Sequence, residues 1–200
     1  NPSNIVLGAG SGELIDLIIR IFIDRDDSII DFDPSFGMYK FCAELAGGTV
    51  KTVPLDGKFR IDLGATKDAI SKTTKIIFVN SPNNPTGNPT SDQQIKTLLD
   101  TNLVIVVDEA YFEFYGKSFA SLVNEYENLI VLRTMSKWAG IAGLRVGYAI
   151  AHPYIIKQLL KVKMPYNIGA VATLGVTASL DDVDFLLRNV NRIIEERDRM

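Results

Sequence analysis

The sequence predicts an α/β fold, a three-layer sandwich with helices on both sides of a mostly parallel sheet. Two observations carry that prediction. Continuous apolar runs such as Ile76-Ile77-Phe78-Val79 and Val104-Ile105-Val106-Val107 read as strands covered on both faces. These runs alternate along the chain with stretches of helical apolar spacing, the pattern of parallel strands joined through helices. In order, Asn4 to Gly8 reads as a strand that enters a Gly-rich turn, and Glu13 to Ile23 as a helix with an apolar stripe. Ser28 to Phe32 is a strand, Phe36 to Ala46 a helix and Thr49 to Leu55 a strand. Leu63 to Ser71 is helical, and Lys75 to Asn80 is a buried strand that runs into a loop dense in Asn and Pro. Ser91 to Asp100 is a helix opened by a Ser-Asp-Gln-Gln capping signal. Strands at Leu103 to Asp108, Leu129 to Arg133 and Arg145 to Ala149 follow, then helices at Pro153 to Lys163, Gly169 to Leu180 and from Asp182 onward.

Composition bounds the function. With 200 residues, 46% hydrophobic and 22% charged, the chain can bury a sizeable core, and its 23 Gly and Pro residues are too few for a disordered or fibrous protein. A net charge of −3 gives no reason to expect a nucleic-acid or membrane partner. The single cysteine, Cys42, excludes an internal disulfide framework and fits a reducing compartment. The single histidine, His152, excludes a His-rich metal cluster. No apolar run reaches the roughly 18 to 20 residues of a membrane span, and no signal peptide is legible, so the expected location is cytoplasmic. The first residue is Asn, and the last helix stops among Glu195, Glu196, Arg197, Asp198 and Arg199 without a cap, so the expectation is an excerpt of a longer chain.

In a parallel sheet, ligands bind beyond the carboxyl ends of the strands. Functional residues should therefore collect just after Leu7, Phe32, Val79, Val107 and Leu132. Gly8-Ala9-Gly10-Ser11-Gly12-Glu13 lies between a strand and a helix, where free N–H groups attract an anion. It fails as a dinucleotide fingerprint and lacks a P-loop lysine; a phosphate site and a plain tight turn fit it equally. Asn80-Ser81-Pro82-Asn83-Asn84-Pro85-Thr86-Gly87 would present the Asn84 amide on a stiff loop. Asp108-Glu109-Ala110-Tyr111 ends the most apolar strand; there Asp108 is either a helix cap or a buried carboxylate that needs a cation or donors. Arg133-Thr134-Met135-Ser136-Lys137, with Arg145 shortly after, forms a second anion-friendly cluster. Lys137, one of twelve lysines, follows an apolar strand beside Trp138, Ala139 and Ile141, where desolvation would lower an amine pKa. It is a candidate Schiff-base former. Together these groups match what pyridoxal phosphate requires: a lysine, a carboxylate for the ring nitrogen, donors for the phenolic oxygen, an aromatic plate and an anion cradle.

The four segments Ser81 to Gly87, Asp108 to Tyr111, Arg133 to Lys137 and Ala142-Gly143-Leu144-Arg145-Val146-Gly147-Tyr148 occur in an order that resembles the large domain of fold-type I, class I/II pyridoxal-phosphate-dependent aminotransferases. The resemblance covers essentially the whole chain. It implies that Lys137 holds the cofactor and then moves the substrate's Cα proton, that Asp108 pairs with the pyridinium nitrogen, and that Asn84 and Tyr111 bond the phenolic oxygen. It implies further that Phe36 stacks on the ring, where relatives often carry Tyr. Gly10, Ser11 and Gly12 would meet the phosphate, joined by Thr134 or Ser136 and by Arg145. Many relatives carry Asp at Gly12, so backbone contacts are expected to dominate there. The implied division is a cofactor-binding large domain over 1–180, with 181–200 as a helix leading to a small domain. The implied assembly is a homodimer, with a small-molecule amino donor and a 2-oxo acid as partners. Within the family, Asp108 to Tyr111, Ala142 to Tyr148 and Pro165-Tyr166-Asn167 lean toward members that transaminate histidinol phosphate with 2-oxoglutarate. Aromatic amino-acid transamination, threonine-phosphate decarboxylation, a ligand-sensing module and an inactive fragment are the alternatives.

Overall fold

The computed structural model describes residues 1–200. Seven strands form one sheet: β1 (Ile5–Gly8), β2 (Ser28–Asp33), β3 (Thr49–Pro54), β4 (Thr74–Asn80), β5 (Val104–Asp108), β6 (Leu129–Thr134) and β7 (Gly147–Ala151), in the spatial order β1-β7-β6-β5-β4-β2-β3. All neighbours run parallel except β7, which is antiparallel to both β1 and β6. The helices are α1 (Ser11–Phe22), α2 (Met38–Leu45), α3 (Leu63–Ala69), α4 (Asp92–Leu99), α5 (Pro153–Val162), α6 (Ala170–Asp181) and α7 (Val183–Arg199). The expected α/β sandwich is therefore the observed one. No helix is long and apolar enough to cross a membrane.

The apolar strands split their side chains with period two between two cores. Ile76, Phe78, Val106, Ile130 and Leu132 pack with Leu14, Ile15 and Ile18 of α1, Cys42 of α2 and Ile155 and Leu159 of α5. Ile77, Val79, Ile105, Val107, Leu129 and Val131 face the other way, against Ile95, Leu98 and Leu99 of α4 and Phe119 and Val123. That double burial is why the middles of these strands are apolar and their polar residues stand at the ends, Thr74, Lys75 and Asn80 on β4, Asp108 on β5 and Arg133 and Thr134 on β6. There the register sets Asn80 beside Asp108 across β4 and β5. A third, smaller cluster gathers Met135, Trp138, Ala139 and Val146 under Ala172 of α6 and Val190 of α7. The 181–200 helix thus lies on the body of the domain through Val190, with Leu186 and Ile194 alongside.

Several boundaries differ from those read in the sequence. The strand expected at Arg145 to Ala149 runs over Gly147–Ala151 instead, because Arg145 adopts a left-handed conformation (φ 53°, ψ 63°) that closes the short 3-10 turn Ala142–Leu144 and cannot continue a strand. The helix expected from Phe36 starts at Met38, leaving Phe36 in the turn after β2. The helix from Leu63 ends at Ala69, followed by Ile70 in an extended conformation.

Gly147 explains how the Gly-rich turn reaches the sheet rim. It pairs with Gly8 on β1 and with Thr134 on β6, and the backbone from Gly10 to Ser11 crosses directly over it. A Cβ there would stand 2.5 Å from Ser11 N and 2.6 Å from Gly10 C, both backbone atoms that cannot swing aside. Gly147→Ala is expected to destabilise the protein by about 2–3 kcal/mol in urea denaturation. Gly12→Ala, whose Cβ would meet nothing within 4 Å, should stay within about 0.5 kcal/mol of the parent.

Candidate active site

The carboxyl ends of β1, β2, β4, β5 and β6 share one rim because all five strands run in the same direction. A cleft of about 320 Å³ opens there, lined by Ser11, Gly12, Phe36, Met38, Asn80, Asn84, Asp108, Ala110, Tyr111, Thr134, Ser136, Lys137, Ala142 and Arg145. Ten of the eleven residues singled out in the sequence are in that lining. The eleventh, Gly10, lies directly behind Arg145: at φ +84°, a Cβ on it would stand 2.5 Å from the guanidinium Nη2.

One end of the cleft is suited to an anion. Ser11 and Gly12 open α1, where the first N–H groups have no acceptor within the helix and carry the positive end of its dipole. Arg145 stands against the same turn, its Nη1 donating to Ala142 O at 3.1 Å. Glu13 ties the turn down: its Oε2 accepts from Ala9 N at 2.5 Å and from the Asn167 amide at 2.6 Å. Lys163 in turn donates to Asn167 Oδ1. On the β6 side the Thr134 hydroxyl is buried and committed, accepting from Ser136 N at 3.1 Å and lying 2.9 Å from Ser136 Oγ. Ser136 is therefore the more open of the two hydroxyls.

The other end is a buried acid. Asp108 is 2% exposed. Its Oδ1 accepts from Ala110 N at 3.1 Å and its Oδ2 from the Tyr39 hydroxyl at 2.8 Å. The Ala110 bond closes a local turn and caps no helix, because the 3-10 turn that follows starts only at Phe112 with Tyr111 at its N-cap; no cation reaches the carboxylate. Burial pushes its carboxyl up to about 6, against the pull of Tyr39 and Ala110. The loop after β4 brings Asn84 across: Asn83 is buried and its amide donates to Pro34 O and Thr86 Oγ1. With its amide turned to suit its neighbours, Asn80 donates to Pro82 O and accepts from Asn84 N at 3.1 Å.

Lys137 departs from expectation in one respect. It is exposed, with its amine at the cleft mouth 5.5 Å from the Tyr111 ring centroid. Its apolar neighbours do not desolvate it, since Met135, Trp138 and Ala139 turn into the third cluster and leave Lys137 on the opposite side. Arg133 also points away from the cleft. It pairs with Glu109 at 3.0 Å and lies 3.5 Å over the Phe112 ring. Two supporting residues were not found from the sequence. Tyr39 gave only the signal of an aromatic on an apolar helix stripe with Cys42 and Ala43, and Glu13 only an acid in the first helical turn.

This rim-facing cleft, with an anion cradle after β1, an acid at the end of β5 and an amine after β6, defines a class. The chain belongs to the aminotransferase class I and II family, whose model matches residues 1–200. Among curated relatives it is similar to the histidinol-phosphate aminotransferase of Dehalococcoides mccartyi, 44% identical over 196 residues, covering 98% of this chain and 55% of the relative. It is likewise similar to that of Roseiflexus castenholzii, 45% identical over 200 residues, covering 100% of this chain and 54% of the relative. The chain thus spans about half the length of these relatives. Among solved structures, the histidinol-phosphate aminotransferase from Clostridium acetobutylicum superposes with a TM-score of 0.89 at 28% identity, covering 98% of this chain and 60% of that one. The enzyme from Sinorhizobium meliloti, solved in complex with pyridoxal-5'-phosphate, shares the fold with a TM-score of 0.91 at 24% identity, covering 100% of this chain and 56% of that one.

The raised midpoint of Asp108 has a consequence for stability. The folded, ligand-free protein holds this proton more tightly than the unfolded chain, whose Asp titrates near 3.9. The group's contribution to stability is full below about pH 4 and is lost as pH rises through about 6. Asp108→Asn is expected to raise the stability of the ligand-free protein at about pH 8 by about 1–3 kcal/mol, and to flatten its decline from about pH 5, as read by urea denaturation.

Proposed function

We propose that the chain is the cofactor-binding large domain, over 1–180, of a pyridoxal-phosphate-dependent aminotransferase. The reaction is transamination of histidinol phosphate with 2-oxoglutarate as amino acceptor, in histidine biosynthesis. The observation that carries the reading is the polarity of the cleft. A buried carboxylate without a cation stands at one end, an N–H and guanidinium cradle at the other, and an open amine beside them. A ligand with a protonatable ring nitrogen opposite a phosphate fits both poles. The names of the curated relatives support the choice of substrate.

When bound, the cofactor supplies an aldehyde that links to amines and a protonated ring that draws electrons from the substrate Cα. The protein's residues do the rest. Lys137 would hold the cofactor through its amine, and the same amine, when free, would serve as the base that moves the proton of the substrate Cα. Asp108 keeps the ring nitrogen protonated by accepting from it in a low-dielectric site. Asn84 and Tyr111 donate to the phenolic oxygen, and Phe36 covers one face of the ring. Ser11, Gly12, Ser136 and Arg145 hold the phosphate. Gly10 lets Arg145 close on it, and Thr134 orients Ser136. The 181–200 helix leads to a small domain that completes the substrate site, and the working assembly is a cytoplasmic homodimer.

Visible absorption spectroscopy with added pyridoxal phosphate tests the reading. The protein is expected to gain a band that borohydride removes, and Lys137→Ala to lack it. Histidinol phosphate should bleach the band and 2-oxoglutarate restore it. A band identical in Lys137→Ala and the parent refutes the assignment of the site. A Lys137-dependent band indifferent to histidinol phosphate refutes the substrate.

A further inference from the structure

Tyr39 takes no part in lining the cleft and is fully buried in α2. Its ring stacks on Phe78 at 4.5 Å between centroids and 11° between planes, and meets the edge of Phe36 at 5.7 Å and 81°. Its hydroxyl donates to Asp108 Oδ2 at 2.8 Å. A phenylalanine would fill this space as well, and a hydroxyl in so apolar a cluster is costly unless it is bonded. The hydroxyl is therefore accounted for only by the carboxylate it meets.

We propose that Tyr39 is the positioning residue of the site: its hydroxyl fixes Asp108 and its ring fixes Phe36, so one buried side chain sets both the group that meets the cofactor's ring nitrogen and the plate that covers the ring. The proposal rests on the cofactor reading above and extends it to a residue outside the cleft. With Ala110 N on one carboxylate oxygen and Tyr39 on the other, Asp108 is held by one donor on each oxygen, from the turn after β5 and from α2. Both donors favour its ionised form. Burial works against it, and so does Glu109, the residue that follows β5. The Tyr39 hydroxyl stays a donor because burial, Asp108 and, from β2, Asp31 all push its ionisation well above the usual tyrosine range.

Tyr39→Phe keeps both aromatic contacts and removes only the donor. In the cofactor-free protein, carbon-13 NMR of the Asp carboxyls, with Asp108→Asn to assign the signal, is expected to find the Asp108 midpoint raised by about one unit in Tyr39→Phe. Pyridoxal phosphate affinity, read by absorption titration, should weaken by about 10- to 100-fold. Adding Tyr39→Phe to Asp108→Asn should cost no further affinity, since the hydroxyl then has no charge to hold. An unmoved midpoint overturns the proposal, as does an equal loss of affinity in the Asp108→Asn background. A moved midpoint with unchanged affinity leaves the hydrogen bond but overturns the positioning role. Failure of the cofactor reading shows separately, as absence of a Lys137-dependent band in the unmutated protein, and the proposal falls with it.

Discussion

The buried carboxylate of Asp108 is the constraint around which the site is arranged. It sits at the end of β5, the middle strand of seven, where both faces of the sheet are dry. An acid there is expensive unless donors or a cation offset the loss of water. The fold supplies two donors, Tyr39 and Ala110, and no cation. The unmet part of that electrostatic demand faces the cleft. A site of this kind is under-satisfied when empty and favours a ligand that brings positive charge to that point.

Each central strand end divides its labour between the two faces. Asp108 and Thr134 turn toward the cleft, while their chain neighbours Glu109 and Arg133 turn to the other side and bind each other. Glu109 is 1% exposed and accepts from Phe119 N, Ser118 Oγ and Arg133 Nε. Arg133 also covers Phe112, so this ion pair fixes the loop that follows Tyr111. Breaking one partner of such a pair would leave a buried charge alone, which makes the pair a strong fastener regardless of its net contribution. Beside it, Glu113 has one carboxylate oxygen buried without a partner, and burial pushes its carboxyl up to about 8.

The site also separates buried groups from exposed ones. Asp108, Thr134 and Tyr39 are buried and bonded, whereas Lys137 and Arg145 are exposed on the loops above them. Groups that must stay in register sit on strands and packed helices; groups that must reach a ligand sit on loops carried by that scaffold. The anion cradle depends on the same principle in another form, since the turn from Gly10 to Ser11 is located by its backbone contact with Gly147.

The sequence by itself determined the sheet, the rim of the sheet at which the cleft opens and ten of the fourteen residues that line it. Apolar runs that end in Asn80, Asp108 and Thr134 are a local signal, because a strand buried on both faces can place polar residues only at its rim. What the sequence could not decide was which way neighbouring side chains face once the chain leaves a strand. Trp138 and Ala139 suggested a buried Lys137, yet packing under α6 and α7 draws those residues one way and leaves the lysine on the other. Arg145 likewise read as a strand start, whereas its left-handed backbone makes it a turn. The contact between Tyr39 and Asp108 spans 69 positions along the chain and joins α2 to β5 across the core. No periodicity reports a hydrogen bond of that range; only the folded packing of one layer on another creates it.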